Sequence, residues 1–212
     1  MADFGTLKQA IIDGESGAVA LTESLISEGI GAREILDSAL LPGMDVVGER
    51  MKSGEMFIPE VLFSAQIMQS CLDVLKPLLG DNDADSKGVV VLGTVEGDVH
   101  DIGKDLVGLM LSAAGFEVVN LGTDINPEQF VAAVGEHKPR VIGMSGMLTT
   151  TIPGMARTIA ALKDAGLRES VQVIIGGAPV TQQFADEIGA DAYGGNAASA
   201  VDKCRELVGV TA

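Results

Sequence analysis

Asp98 and His100 stand two residues apart in the run Gly93-Thr94-Val95-Glu96-Gly97-Asp98-Val99-His100-Asp101-Ile102-Gly103. A carboxylate that near takes the hydrogen bond from one imidazole nitrogen and leaves the other free to bind a metal. His100 is one of 2 histidines in the chain. An apolar stretch, Val89 to Leu92, precedes the run and a helical pattern follows it. The pair therefore falls in a loop at the carboxyl end of a strand. The other histidine, His137, falls near a helix end, where a cation suits the dipole, and receives no role.

Two more stretches have unusual composition, Ser145-Gly146-Met147-Leu148-Thr149-Thr150-Thr151 and Gly176-Gly177-Ala178-Pro179. Each follows a short apolar run. Taken singly, each is ordinary turn chemistry, and the threonines suit a helix N-cap. Their joint occurrence at strand ends points to a ligand that approaches the backbone closely.

The elements that must position these loops alternate. Apolar runs at Val89 to Leu92, Phe116 to Leu121, Val141 to Ser145, Val171 to Ile175 and Asp191 to Tyr193 read as strands. Helical patterns lie between them at about Gly103 to Ala114, Pro127 to His137, Pro153 to Ala165, Thr181 to Ile188 and Ala197 to Val208. Such alternation predicts an α/β fold, a flavodoxin-like, Rossmann-like, doubly wound parallel five-stranded sheet. In the strand order 2-1-3-4-5, ligands bind at the switch point between the first and third strands. The three unusual loops converge there.

Before residue 80 the period is helical throughout. Ser16 to Glu28 ends at Gly29 and Gly31. A segment from Ala32 is interrupted at Pro42-Gly43 and resumes at Met44. Pro59 opens a last helix running to about Leu79, with Val61, Leu62, Ala65, Met68, Leu72 and Leu75 on its apolar stripe. A helical bundle over 1–79, a polar linker over 80–88 and a sheet domain over 89–212 is the organisation expected.

The 212 residues are 47% hydrophobic and only 3% aromatic, so Leu, Val, Ile, Ala and Met fill the core. The net charge of −16 disfavours nucleic acid and anionic membranes as partners. Cys71 and Cys204 lie far apart and read as buried free thiols. No apolar h-region opens the chain, and no apolar run reaches the roughly 18 residues of a membrane span. A cytoplasmic protein is the expectation.

The sheet half, Gly88 to about Val208, resembles the cobalamin-binding domain of methionine synthase and of the corrinoid proteins of methylamine- and methanol-type methyltransferase systems. The matching pieces are Asp98-x-His100-x-x-Gly103, Ser145-Gly146-Met147-Leu148-Thr149 and Gly176-Gly177-Ala178. The family's second motif usually reads Ser-x-Leu; here Met147 stands at the Leu position, an apolar change of similar volume. The helical half resembles the cap domain of the same proteins through Leu41-Pro42-Gly43-Met44, Val47-Gly48 and Phe57-Ile58-Pro59.

The resemblance implies a cobalamin or related corrinoid, cycling among methylcobalamin, cob(I)alamin and cob(II)alamin. His100 would be the lower axial ligand of cobalt, base-off and His-on, with Asp98 and Thr151 as its relay. Asp101, Ile102, Gly103, Ser145, Met147, Leu148, Thr149, Gly176 and Gly177 would contact the cofactor, Ser145 and Thr149 at its displaced nucleotide tail. Gly103, Gly176 and Gly177 would leave the tail room. Met51, Ile58 and Val61 of the cap would cover the upper face, although bundle core is an equal reading for all three. The chain would be a carrier, not a complete enzyme. Its partners would be a substrate-specific corrinoid methyltransferase, a second methyltransferase linked to tetrahydrofolate or a thiol such as coenzyme M, and a corrinoid reductive activase. The cap would swing aside for methyl delivery, with a hinge in the linker.

Other classes fit less well. A phosphoreceiver domain needs an acidic residue where Ser145 ends the third strand. A cobalamin-dependent regulator needs a DNA-binding unit, and a radical mutase needs a substrate barrel. A dinucleotide site wants Gly-x-Gly-x-x-Gly after the first strand, which Gly93 and Gly97 do not supply.

Overall fold

The computed structural model describes residues 3–78 and 87–210, which form a helical unit and an α/β unit. The linker expected over 80–88 lies outside the described residues, apart from Gly88 and the preceding Lys87.

The helical unit contains α1 (Phe4–Ile12), α2 (Gly17–Ser27), α3 (Ala32–Ile35), α4 (Leu41–Ser53) and α5 (Ile58–Leu75). Asp3 caps α1 by accepting from the Thr6 amide at 3.0 Å. Pro42-Gly43 does not interrupt the third segment as expected. A π-helical turn, Leu36–Leu40, joins α3 to α4 with right-handed dihedrals throughout. Pro42 sits in the first turn of α4, where the wider spacing of the π-turn tolerates its missing N–H. Gly43 has a packing role. A Cβ there would lie 2.9 Å from Cγ2 of Ile11, so α4 crosses α1 at a distance only glycine allows.

In the α/β unit the strands are β1 (Val89–Thr94), β2 (Glu117–Asn120), β3 (Val141–Ser145), β4 (Gln172–Gly176) and β5 (Ala192–Gly194). The helices are α6 (Ile102–Ala113), α7 (Pro127–His137), α8 (Pro153–Asp164), α9 (Gln182–Ile188) and α10 (Ala197–Val208). All strand pairs are parallel, in the order β2-β1-β3-β4-β5, as the sequence predicts. β1 runs two residues past Leu92, because Gly93 and Thr94 pair with Met144 and Ser145 of β3.

Alternate residues of the central strands point to opposite layers. Val91, Ile142, Met144, Val173 and Ile175 join a core cluster with Phe130, Met155, Ile159, Leu162 and Ala185 from α7, α8 and α9. Leu92, Gly143 and Ile174 face the other way, toward α6 and α10. Asn126 caps α7 and Asn196 caps α10, each through a side-chain acceptor. These caps begin both helices close to the carboxyl edge of the sheet.

Candidate functional site

β1 delivers Asp98 and His100 to that edge, and β3 delivers the segment from Gly146 to Thr151. Asp98 is fully buried, whereas the His100 side chain is 52% exposed. Asp98 Oδ1 lies 2.7 Å from His100 Nδ1 and also accepts from the His100 amide at 3.1 Å. Asp98 Oδ2 accepts from the Met147 amide at 2.7 Å, the Leu148 amide at 3.2 Å and the Thr151 hydroxyl at 2.8 Å. Five donors therefore converge on one carboxylate.

Burial pushes the Asp98 carboxyl up, but the hydrogen bonds from Met147, His100 and Thr151 outweigh it and hold the group well below the usual carboxylate range. The carboxylate stays charged and occupies Nδ1. That leaves Nε2 of His100 as the nitrogen for a ligand.

Large apolar side chains flank this pair in the open. Val99 is 71% and Ile102 75% exposed, with Met147 and Leu148 nearly half exposed. Soluble proteins rarely cluster exposed apolar groups without a partner for them. Asp101 and Thr149 are exposed beside them.

A cavity of about 250 Å³ opens between the sheet, α6 and α10, lined by neither Asp98 nor His100. Its walls include Leu92, Gly143, Ser145 and Ile174 from the sheet, Gly103, Lys104 and Val107 from α6, and Ala200 and Cys204 from α10. Gly176, Gly177, Gly194 and Gly195 form its rim. The structure thus brings Gly103, Ser145, Gly176 and Gly177 together at the cavity. Thr149, expected beside Ser145, does not line it.

The glycines have different reasons to be glycine. A Cβ on Gly103 would meet nothing within 4 Å, so this residue does leave open space. A Cβ on Gly177, with φ +129°, would fall 1.9 Å from the Gly146 carbonyl oxygen. One on Gly176 would fall 2.9 Å from the Gly194 carbonyl oxygen. These two are required for the backbone segments at this edge to approach one another.

In the helical unit, Ile58 is half exposed and Met51 partly so. Val61 is fully buried and offers no surface to a cofactor, so the bundle-core reading holds for it.

Several residues at the site escape the sequence reading. Gly143 sits mid-strand, where its missing side chain makes way for Leu92, whose Cδ2 would be 2.5 Å from a Cβ. A glycine inside an apolar strand is the signal that marks it. Gly194 ends β5 and Gly195-Asn196 follow it at the same edge, a pattern like Gly176-Gly177. Lys104 is buried, with Nζ held by Asp105 at 2.5 Å and Asn120 at 2.8 Å, a pairing that only the fold creates.

A family described as "B12 binding domain" matches residues 88–202, and a second of the same description matches residues 4–76. The chain belongs to the B12-binding corrinoid proteins. A corrinoid protein of Desulfitobacterium hafniense is 45% identical, over 99% of each chain. Dimethylamine corrinoid protein 1 of Methanosarcina acetivorans is 44% identical, over 95% of each. Among solved structures, the methanol:cobalamin methyltransferase complex MtaBC of Methanosarcina barkeri superposes with a TM-score of 0.85 at 32% identity, over 97% of this chain and 79% of that one. The cofactor of this corrinoid protein is cobalamin or a related corrinoid. Among the described residues, no helix is long and apolar enough to cross a membrane.

Proposed function

We propose that this chain is a methyl carrier whose corrinoid is bound base-off with His100 as the lower axial ligand. It passes the methyl group from a substrate-specific methyltransferase to a second one that serves tetrahydrofolate or a thiol. The observation behind this reading is a half-exposed histidine whose Nδ1 is held 2.7 Å from a fully buried carboxylate. When bound, the corrinoid supplies a cobalt centre that accepts and releases a methyl group.

The chain's own residues do the rest. Asp98 selects the tautomer with its proton on Nδ1, which aims the Nε2 lone pair outward for a metal. Thr151 and the amides of Met147 and Leu148 keep that carboxylate in place. Val99, Ile102, Met147 and Leu148 suit the underside of a large apolar macrocycle. The glycine-walled cavity beside Ser145 suits a displaced nucleotide tail. This is the work of a carrier and not of a complete enzyme, with two methyltransferases and a reductive activase as partners. Relatives named as dimethylamine and trimethylamine corrinoid proteins support that role.

The test is the visible spectrum of protein reconstituted with hydroxocobalamin, wild type beside His100→Ala. A stoichiometric corrinoid whose base-off, His-on spectrum changes in the variant is expected. Wild-type protein that retains no corrinoid, or a variant with an unchanged spectrum, contradicts the proposal.

A further inference from the structure

The His100 loop is held from outside by a segment to which the proposed function gives no part. Val95 to Asp98 form a tight turn, in which the Asp98 amide donates to the Val95 carbonyl at 3.1 Å. Gly97, third in that turn, has φ +80°, the conformation of a type II turn. Types I and II differ by a flip of the central peptide, so its N–H points in opposite directions in the two forms. That N–H belongs to Gly97 and donates to Asp124 Oδ1 at 2.7 Å.

Asp124 lies in the loop between β2 and α7, 27 residues away from Gly97 in sequence. Its own φ is +59°, a left-handed conformation that costs a side-chain-bearing residue energy. Neighbouring contacts keep it there. The Asp124 amide donates to the Asp98 carbonyl at 3.0 Å, and the Ile125 amide to the Thr94 carbonyl at 2.9 Å. The Thr94 hydroxyl in turn donates to the His100 carbonyl at 3.0 Å. The end of β2, from which this loop leaves, grips the first turn of α6, where Asn120 donates to Asp105 at 2.9 Å and accepts from Lys104. A strained residue spends its side chain on one N–H of the loop that presents the histidine.

We propose that Asp124 is a positioning residue for His100. Its carboxylate holds the Glu96–Gly97 peptide in the type II orientation and so fixes the direction in which Asp98 and His100 leave β1. The role rests on the axial-ligand reading above.

Two substitutions separate the carboxylate from the backbone it sits on. Asp124→Gly keeps the left-handed conformation without strain and removes the acceptor. Asp124→Asn keeps an acceptor oxygen and tolerates the same backbone. In protein without cofactor, the Gly97 amide should exchange its hydrogen at least about tenfold faster in the Gly variant, the loss of roughly one charge-assisted hydrogen bond. It should stay near the wild-type rate in the Asn variant. In protein loaded with cobalamin and reduced to the Co(II) state, nitrogen splitting in the electron paramagnetic resonance spectrum reports His100 on the metal. We expect the His-on equilibrium to fall about tenfold in the Gly variant and to be restored in the Asn variant. A residue with only a structural role lowers the melting temperature and leaves the splitting alone. Faster Gly97 exchange with unchanged splitting overturns the positioning role, as does wild-type behaviour of the Gly variant in both measurements. Absence of nitrogen splitting in wild type overturns the axial-ligand reading, and this role with it.

Discussion

Asp98 is fully buried and His100 half exposed, yet Oδ1 of the one lies 2.7 Å from Nδ1 of the other. The pair spans the boundary between protein interior and solvent. The buried partner is fixed by donors from two loops, so the exposed partner inherits a defined orientation. An exposed histidine on its own would sample several rotamers.

Asp98→Ala should cost about 2–4 kcal/mol of stability, because it strands the Met147 and Leu148 amides without an acceptor and leaves the Thr151 hydroxyl only the Leu148 carbonyl. His100→Ala, at an exposed position, should cost under about 1 kcal/mol. Urea denaturation of the cofactor-free proteins checks both. Equal losses would mean that the pair acts as one structural unit.

The same carboxylate predicts an acid limb. Its folded pKa is depressed below the unfolded value, so its contribution is fully present above the unfolded pKa of about 3.9. That contribution is lost as pH falls through this value toward the lower folded pKa. Wild-type stability should drop more steeply than that of Asp98→Asn below about pH 4. Parallel curves from thermal melts at pH 3 to 6 would contradict this.

Thr151 tests how far the brace extends. Thr151→Ser keeps the hydroxyl that donates to Asp98 at 2.8 Å, and Thr151→Ala removes it. The Ala variant should lose about 1 kcal/mol and the Ser variant markedly less. In the reconstituted protein, the Ala variant should also weaken His100 ligation while the Ser variant retains it. Identical spectra for the two variants would remove Thr151 from the relay.

Ala200 lines the cavity between the sheet and α10. Ala200→Leu partly fills that space, and the melting temperature of the cofactor-free variant checks that the fold tolerates it. If the nucleotide tail occupies the cavity, the variant binds cobalamin at least about tenfold more weakly, the loss of roughly 1.4 kcal/mol. Cobinamide, which lacks the tail, should bind both forms alike. Equal cobalamin affinities by equilibrium titration would place the tail elsewhere.

Gly177 and Gly103 should respond oppositely to alanine. The new methyl group at Gly177 would fall 1.9 Å from the Gly146 carbonyl oxygen, so the loops after β3 and β4 must part, at a cost of about 3 kcal/mol or more. At Gly103 it would meet nothing within 4 Å. Melting temperatures of the two variants decide this, and a destabilised Gly103→Ala would show a need for glycine that the packing does not explain.

The sequence by itself determined the local elements and the chemistry of the loop. Alternating apolar runs and helical patterns specify a parallel sheet, and the handedness and switch-point rules then put the loops after β1, β3 and β4 on one edge. A separation of two residues alone brings Asp98 and His100 within reach, because a pair that close meets through the backbone. Its reading failed at Pro42-Gly43, where proline usually marks a break and a π-turn carries the helix through.

Tertiary structure decided everything that depends on partners distant in the chain. Asp98 is 49 residues from Met147 and 53 from Thr151, and no local pattern reveals that their donors meet on one carboxylate. No local pattern reveals that the Asp124 carboxylate reaches Gly97, 27 residues away. Val61 has the periodicity of a stripe residue, and packing alone removes it from any cofactor surface. Periodicity reports which residues want burial; only the packed chain fixes what each is buried against, and so which polar groups must find one another.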